Sequence, residues 1–424
     1  MHVDVVSDGS EFAMANAALL DVIWKTPARV ASLSFRLLPA EMHRTIASMH
    51  SIAEFPKLRT LELYAPPTPS NSRLVLSQCL TKLVVPALKT LKVDGYPADF
   101  HCGCDVFPRT LTCLFIRSRS VAQSTVSDVI KVLRSLTLLQ ELQLHDAMSE
   151  MSRPDADPPS LPPVPSKLTL PYLRRVVIND ECVTSVHLLD HLVVPVDANI
   201  TLSLQYCDQD VIHLLIAPIL AKLSTATDRD DARQAIESLS IYEDKITFRK
   251  RIPRNAVWTS PLPEITLQVC DDGLEFANGA FLDKFAAKLP LADVTELSIL
   301  GYDFTDTDAE EALRTIVRTL VNLERVAFNG VSNSMTFPQV LSTVHCCSPT
   351  LRSISLQHID FRMDNNRLRC DDFVPLLRKN AQTRREEESA IQEIEIKHCP
   401  NVTSWDVKLL KEVVETIVWD VADD

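Results

Sequence analysis

A triplet of apolar residues with a fixed internal spacing recurs along this chain of 424 residues. One clear copy is Val294, Leu297 and Ile299, an L-x-x-L-x-L arrangement, and the pattern restarts 29 residues later at Leu323. Within each copy the last residues alternate apolar and polar, which is typical of a short strand that buries one face. The triplet therefore predicts a series of short, half-buried strands.

Thirteen segments match this triplet, with starts 23 to 40 residues apart, close to the ~20 to 29 residues of leucine-rich repeats but less regular. A further closing strand is expected at Ile417 and Trp419. The matches are Val30/Leu33/Phe35, Leu58/Leu61/Leu63, Leu88/Leu91/Val93, Leu111/Leu114/Ile116, Leu139/Leu142/Leu144, Leu173/Val176/Ile178, Leu202/Leu204 in a degraded form, Ile236/Leu239/Ile241, Leu262/Ile265/Leu267, Val294/Leu297/Ile299, Leu323/Val326/Phe328, Leu351/Ile354/Leu356 and Ile391/Ile394/Ile396.

The segments between these strands mostly carry a helical pattern. Apolar stripes with a helical period are Leu313/Ile316/Val317/Leu320, Val126/Val129/Ile130/Leu133, Leu282/Phe285/Ala286/Leu289 and Leu410/Val413/Val414/Ile417. Capping signatures stand at Thr125 with Asp128, Thr305 with Asp308, and Thr403 with Asp406. Helical crossovers between strands predict that the strands run parallel.

These features predict an α/β fold, a leucine-rich-repeat-like solenoid (horseshoe) with a parallel strand face and a helical convex face. A doubly wound α/β domain is the alternative, but its strands would be continuous apolar runs, whereas these alternate. The predicted organisation is an N-terminal helical cap or partly disordered segment over 1–28, solenoid over 29–146, a proline-rich insert over 147–170, and solenoid with a C-terminal cap over 171–424.

Four stretches interrupt the period: 66–73, 152–165, 243–263 and 378–388. The second contains six prolines and is the best candidate for a hinge or disordered insert. The third carries Arg249, Lys250, Arg251 and Arg254, a basic run that is typical of a solvated loop, although a nuclear import signal or a phosphate contact would look the same. The fourth predicts a solvated charged loop.

Composition narrows the function classes. A net charge of -13 argues against nucleic-acid and anionic-membrane surfaces. Only seven glycines occur, and none forms a phosphate-binding or nucleophile-elbow cluster, which argues against nucleotide-dependent and α/β-hydrolase enzymes. The chain is predicted to be non-catalytic and to bind no cofactor. Scattered cysteines, no visible signal peptide and no apolar run long enough to span a membrane predict an intracellular protein, cytoplasmic or nuclear.

Two groups of residues imitate metal sites. His187, Asp190 and His191 match a zinc motif with aspartate in place of glutamate, but neighbouring leucines give that helix an ordinary buried stripe. A second group is His101, Cys102, Cys104 and Cys113, which lacks the paired second knuckle of a structural zinc site. No metal site is predicted, and packing is the favoured role.

The repeats resemble the leucine-rich-repeat region of fungal F-box proteins over roughly residues 29 to 420. The resemblance is carried by LTLPYLRRVVINDECVTSVHLLDHLVVP at 168–195 and by Cys399, Val402 and Thr403, which match the C-x-x-(I/L)-T repeat variant. It implies a substrate-recognition part of a ubiquitin ligase, with a Skp-type adaptor as partner if an F-box is present or supplied. The F-box itself is not evident, because the similar string at 37–46 is too short and favours an ordinary convex-side helix.

The predicted function is therefore protein recognition on the concave strand face, with a stand-alone repeat scaffold as the main alternative. A carbohydrate-cleaving parallel solenoid is a weaker alternative, because helices intervene between the strands. Side chains between and beside the leucines point to the open face, and Tyr, Phe and Arg dominate binding energy at interfaces. The predicted protein-binding residues are Arg36, Tyr64, Lys92, Phe115, Arg117, Arg175, Tyr242, Arg325 and Gln357.

Overall fold

The computed structural model divides the chain into two compact units, Met1–Tyr206 and Cys207–Asp424. Most of the predicted proline-rich insert at 147–170 lies outside the described residues. The residues that the structure describes are 1–6, 22–37, 53–65, 80, 83–96, 100, 106–118, 124–148, 167–195, 197–205, 209–223, 236–242, 245–250, 263–269, 289, 291–301, 307–330, 348–359, 373–400 and 402–420.

The first unit contains a parallel sheet in the order β1-β2-β4-β6-β7-β8-β10-β12. Two short parallel ladders accompany it: β3 (Ala53–Glu54) with β5 (Leu83–Val84), and β9 (Leu168–Thr169) with β11 (Leu192–Val193). The main strands are β1 (His2–Val6), β2 (Ser32–Arg36), β4 (Thr60–Tyr64), β6 (Thr90–Asp94), β7 (Cys113–Arg117), β8 (Glu141–His145), β10 (Arg175–Glu181) and β12 (Asn199–Gln205).

Two rows of apolar side chains cross this sheet and form the core. In register, Leu33 lies beside Leu61, and Phe35 beside Leu63, and the same alignment continues across the sheet. All members of both rows are at most 2 % exposed, and full burial of each such side chain stabilises the fold by ~1.5 to 3 kcal/mol. The rows are Leu33, Leu61, Leu91, Leu114, Leu142, Val176 and Ile200, and Phe35, Leu63, Val93, Ile116, Leu144, Ile178 and Leu202.

A tight turn ahead of each strand sets this register. The first leucine of the triplet donates its backbone N–H to the carbonyl three residues earlier, as Leu58 does to Phe55 at 3.2 Å. Leu88, Leu139 and Leu173 make the same bond. The first leucine of each triplet is therefore buried beneath the turn, and the strand begins two residues later.

Two details of the first unit differ from the sequence prediction. Residues 2–6 form β1, whose Val3 and Val5 pair with Leu33 and Phe35, within the segment 1–28 for which a helical cap or partial disorder was predicted; residues 22–25 are helical. In β12 the buried rows are continued by Ile200 and Leu202, two residues earlier than the predicted Leu202 and Leu204. The alternation of NITLSLQ fits both registers, and pairing with β10 selects the earlier one.

Besides the helical turns at 22–25 and 27–29, the first unit has the longer helices α1 (Val126–Leu133) and α2 (Cys182–His191). Thr125 caps α1 with the predicted reciprocal bonds to Asp128. Helix α2 packs against α1, β10 and β12, and its start is fixed by the buried carboxylate of Asp180. That carboxylate accepts backbone N–H bonds from Ala147 and Met148 at 2.9 Å, and burial raises the pKa of Asp180 to about 7.

The second unit contains a sheet in the order β15-β14-β13-β16-β17-β18-β19-β20. From β13 to β20 every adjacent pair is parallel, and the apolar rows continue in register through Leu297, Val326, Ile354, Ile394 and Ile417. The strands are β13 (Ile236–Tyr242), β14 (Lys245–Lys250), β15 (Glu264–Val269), β16 (Glu296–Leu300), β17 (Arg325–Asn329), β18 (Ser353–Gln357), β19 (Glu393–Lys397) and β20 (Thr416–Trp419). Both units are thus α/β with a large, mostly parallel sheet, as predicted.

The first two residues of the basic run, Arg249 and Lys250, end strand β14 and do not form the predicted solvated loop, while Arg251 and Arg254 lie outside the described residues. Strand β14 pairs antiparallel with both β13 and β15, so the segment containing Ile265 and Leu267 is not the next parallel turn after β13. Ile246 and Phe248 alternate with polar residues and are at most 2 % exposed, and this period of two is the signal that the charge run obscured. Lys250 is itself buried.

The second unit has four described helices: α3 (Gln209–Leu223), α4 (Thr307–Thr319), α5 (Phe373–Glu386) and α6 (Ser404–Lys411). The predicted stripe of α4 is buried, and Thr403 caps α6 with the predicted bonds to Asp406. Helix α6 ends at Lys411, so Ile417 belongs to β20 and not to the predicted helical stripe.

Helix α5 replaces the charged loop predicted at 378–388. Val374, Leu377 and Ala381 form its buried stripe, and Arg384 continues that stripe at 1 % exposure. The Arg384 guanidinium donates to the carbonyl oxygens of Ser348 at 3.0 Å and Leu351 at 3.1 Å, in the turn ahead of β18. The segment is rich in charged residues, but one of its cations, Arg384, is buried inside the fold.

Several predicted features lie outside the described residues. They are the loops 66–73 and 152–165, the string at 38–46, the predicted cap residue Thr305, and nearly all of the stripe from Leu282 to Leu289. In the part of the chain that the structure describes, no helix combines the length and the apolar character that a membrane span needs.

Replacing Leu297 with alanine tests the dependence of the second unit on its buried rows. Leu297 is 1 % exposed between Leu239 and Val326, so the substitution is expected to cost ~2 to 5 kcal/mol of unfolding free energy. Hydrogen exchange should accelerate first in β13, β16 and β17, because each strand contacts only its neighbours. Ser298→Ala, on the open side of the same strand, is the control, and uniform loosening of the whole chain would contradict the expectation.

Candidate protein-binding faces

The side of the first sheet opposite the buried rows carries three rows of mostly polar side chains, which together we call the unit 1 face. Its residues are half-buried or exposed, except for Ser34 and Val177, which are buried. The rows are Ser32, Thr60, Thr90, Cys113, Glu141, Arg175 and Asn199; Ser34, Glu62, Lys92, Phe115, Gln143, Val177 and Thr201; and Arg36, Tyr64, Asp94, Arg117, His145, Asn179 and Ser203.

Six of the nine predicted binding residues lie on the unit 1 face, and the strand register brings them into neighbouring positions. Arg36 pairs with Tyr64, and Lys92 pairs with Phe115. Arg117 and Arg175 are exposed at opposite ends of β7 and β10, with β8 between these strands. The prediction of a shared side for these residues therefore agrees with the backbone.

A compact cluster forms around Glu62. Its carboxylate accepts a hydrogen bond from the Tyr64 hydroxyl at 3.1 Å and contacts the Lys92 ammonium at 2.9 Å. Burial, followed by Glu62, raises the pKa of Tyr64, and the hydrogen bond to Glu62 raises that of Lys92. The Arg36 guanidinium carbon lies 5.3 Å from the centre of the Tyr64 ring, within cation–π distance. The cluster fixes an aromatic ring between two cations.

Phe115 occupies the middle of the unit 1 face and is flanked by His145. Their ring centroids are 5.3 Å apart, and both residues are half-buried. Burial and the nearby Arg117 charge lower the pKa of His145, which favours the neutral imidazole. The centre of the face is thus weakly polar, while its charges stand around it.

Cys113 and Glu141 sit beside Arg175 at the start of the strands. The Cys113 thiol donates to Glu141 Oε2 at 3.7 Å, and burial, followed by the Glu141 charge, raises the pKa of Cys113 to about 11. The thiol is therefore held in its protonated, unreactive form. Within the described residues, the guanidinium groups of Arg117 and Arg175 form no ion pair.

The open side of β16 to β20, which we call the unit 2 face, has a different charge pattern. Arg325 contacts Glu296 at 3.4 Å, and Lys397 contacts Glu395, which also accepts a hydrogen bond from Ser355 at 2.7 Å. Both cations in its rows are thus neutralised by carboxylates, and Glu393 remains as an additional negative charge. Shallow grooves of 490 Å³ and 340 Å³ on this face are lined by Glu324, Arg325, Arg352, Glu393, Glu395 and neighbouring polar residues.

The other predicted residues of the second unit are not brought together. Tyr242 lies on β13, three strands from Gln357 on β18. The Lys245 ammonium lies 4.1 Å from the centre of the Tyr242 ring. Gln357 donates to Ser355 and to Glu395 at 3.2 and 3.3 Å. These two residues therefore do not form one patch.

The histidine pair of the first metal-like group belongs to packed structure. His187 and His191 are 7 % and 5 % exposed, with ring centroids 4.7 Å apart, and His191 Nδ1 lies 2.8 Å from the His187 carbonyl oxygen. Burial lowers the pKa of His191. Across the described ranges, no group of three potential ligands is close enough to hold a metal ion, and His101, Cys102 and Cys104 lie outside those ranges.

Two contributors to these faces were missed by the sequence analysis. Glu62 connects Tyr64 to Lys92, and the His145 ring lies tilted against Phe115. Both occupy positions between or beside the buried leucines, so the alternation that nominated their neighbours also applies to them.

The high pKa of Cys113 predicts slow alkylation. A rise from 9.0 to about 11 lowers the thiolate fraction about 100-fold, so iodoacetamide at pH 7.5 should modify Cys113 about 100-fold more slowly in the folded chain than in urea. Peptide mass spectrometry measures both rates. Glu141→Gln should accelerate the folded-state rate, because it removes the carboxylate charge, and equal rates in folded and unfolded chains would contradict the assignment.

Comparisons with known proteins do not assign this chain to a family. No protein-family model matches the chain, and no curated protein matches it significantly. The interpretation of the two faces therefore depends on their own geometry and chemistry.

Proposed function

We propose that this chain is a non-catalytic recognition scaffold, a solenoid of leucine-rich-type turns that binds another protein on its open strand face. We further propose that it selects substrates for an F-box-type ubiquitin ligase. The main observation in support of this proposal is the unit 1 face, whose neighbouring strands carry Arg36, Tyr64, Lys92, Phe115 and Arg117.

The arrangement of these side chains favours binding of a macromolecule over binding of a small ligand. The unit 1 face extends from Arg36 on β2 to Arg175 on β10, which is five strand spacings, or ~24 Å at ~4.8 Å each. Small-molecule sites are concave and enclose most of their ligand. An extended array of exposed Arg and half-buried aromatic side chains instead has the composition of energetic centres at protein interfaces.

The chemistry of the ionisable groups also supports a binding role. Cys113 is held as a thiol by burial and Glu141, and Lys92 is held by Glu62. Each of these partners stabilises the unreactive protonation state of its neighbour, which is opposite to the tuning of a nucleophile or general base. The unit 1 face thus offers fixed charges and ring surfaces for contact.

Photocrosslinking tests which side of the first unit binds partners. A benzoylphenylalanine at Phe115, in the middle of the unit 1 face, should form cross-links to another protein in the host cell. The same residue at Lys131, exposed on α1, is the control and should give little cross-linking. Cross-links from Lys131 alone would overturn the proposed face, and mass spectrometry of the adducts provides the measurement.

The ligase role has a separate test. Co-expression with a Skp-type adaptor should give a complex that elutes together in size-exclusion chromatography, as expected for a substrate-recognition subunit. Separate elution, combined with cross-links from Phe115, would favour the stand-alone scaffold, which keeps the binding face and loses the ligase.

A further inference from the structure

We infer that the unit 1 face binds an extended acidic protein segment that carries an apolar side chain. This inference rests on the proposed recognition function and specifies the chemistry of its partner. The unit 1 face has four cations, Arg36, Lys92, Arg117 and Arg175, and only Lys92 has a carboxylate as its direct partner in the described residues. The other three cations, Arg36, Arg117 and Arg175, have exposed guanidinium groups that are available to acceptors in a ligand.

More cations stand at the rim where the strands begin. Arg59, Lys89 and Arg174 each occupy the position just before the first row, where their backbone groups extend the parallel ladder. All three side chains are exposed. The chain as a whole carries a charge of -13, so this concentration of cations is a local feature and not a consequence of composition. A basic patch on an acidic protein attracts acidic partners to one place and repels them elsewhere.

The centre of the unit 1 face supplies the apolar contact. Phe115 lies between Lys92 on β6 and the His145 ring on β8, and Tyr64 presents its ring beside Arg36. A ligand side chain placed on Phe115 would displace water from a surface that is already weakly polar. Carboxylates on either side of that residue would then face Arg36 and Arg117, and such charge-assisted pairs with arginine are often bidentate.

The dimensions fit an extended segment. From Arg36 to Arg175 the unit 1 face crosses six strands, a width of ~24 Å, which an extended chain of about seven residues spans at ~3.3 Å each. The carboxylates Glu62, Asp94 and Glu141 stand among the cations. They disfavour a nucleic acid, because a phosphodiester backbone carries a charge at every step and would pass over them. A peptide can place its charges selectively.

The unit 2 face has a different partner chemistry, which makes it an internal comparison. Its two row cations, Arg325 and Lys397, are each paired with a glutamate, and Glu393 adds a further negative charge. An acidic segment would meet repulsion there. Binding of the acidic segment should therefore depend on residues of the first unit and not on those of the second.

Fluorescence anisotropy of the full chain with a labelled peptide tests this inference. The probe is a dodecapeptide of aspartate and glutamate with one central phenylalanine, and the comparison peptide has lysine at every acidic position. The acidic peptide should bind more tightly, and raising the salt from 0.05 to 0.5 M should weaken it, since screening shortens the range of exposed charges to well below ~10 Å.

Three variants locate the binding site. Arg117→Glu and Arg175→Glu should each weaken peptide binding about 10-fold, as expected for reversal of a contacting charge. Arg318→Glu, on α4 of the second unit, changes the net charge equally and should leave the affinity within about 2-fold. Thermal unfolding of each variant checks that the fold is retained. Unchanged binding in both Arg117→Glu and Arg175→Glu would overturn the assignment.

Other occupants give distinct results. Tighter binding of single-stranded RNA than of the peptide, or self-association that Arg117→Glu abolishes in sedimentation, would replace the acidic segment with nucleic acid or a second copy. If the acidic peptide fails while Phe115 still cross-links to a protein, only the partner chemistry named here is lost. If cross-links come from Lys131 alone, the recognition face and this inference are lost together.

Discussion

The alignment of buried side chains across neighbouring strands is the interaction on which both units depend. An inward-facing residue such as Leu61 is covered from both sides by its register partners, Leu33 and Leu91. A slip of one residue would turn the whole set toward water, so the register is strongly specified. The tight turn that buries the first leucine of each triplet fixes where the strand begins. The same register also fixes the positions of the side chains on the open side of each sheet.

The open rows are therefore placed by the core and not by contacts among themselves. Because the register is fixed, Arg36 necessarily lies beside Tyr64, and Lys92 beside Phe115. Substitutions on these rows change the chemistry of the unit 1 face without altering the scaffold. The contrast between the exposed guanidinium groups of the first unit and the paired cations of the second shows how one backbone pattern can present two different surfaces.

The local alternation of apolar residues was sufficient to predict most of the parallel strands, because a period of two and the preceding turn are both encoded within about ten residues. It could not identify β14, where the alternation of Ile246 and Phe248 is short and leads directly into the basic run that starts at Arg249. It also could not choose between two registers for β12, since pairing with β10 decides this. The side of the candidate residues followed from alternation, but the Glu62 contacts depend on which strands become neighbours. Sequence spacing does not contain that information.

Arg384 has a consequence for the order in which the chain can complete its structure during synthesis. Its guanidinium binds the carbonyl oxygens of Ser348 and Leu351, which precede it by 36 and 33 residues. A nascent chain that has just emerged through Leu351 lacks this donor, so the turn ahead of β18 stays incompletely satisfied until α5 has left the ribosome. On the ribosome, the second unit should consequently mature in steps larger than a single strand with its preceding turn.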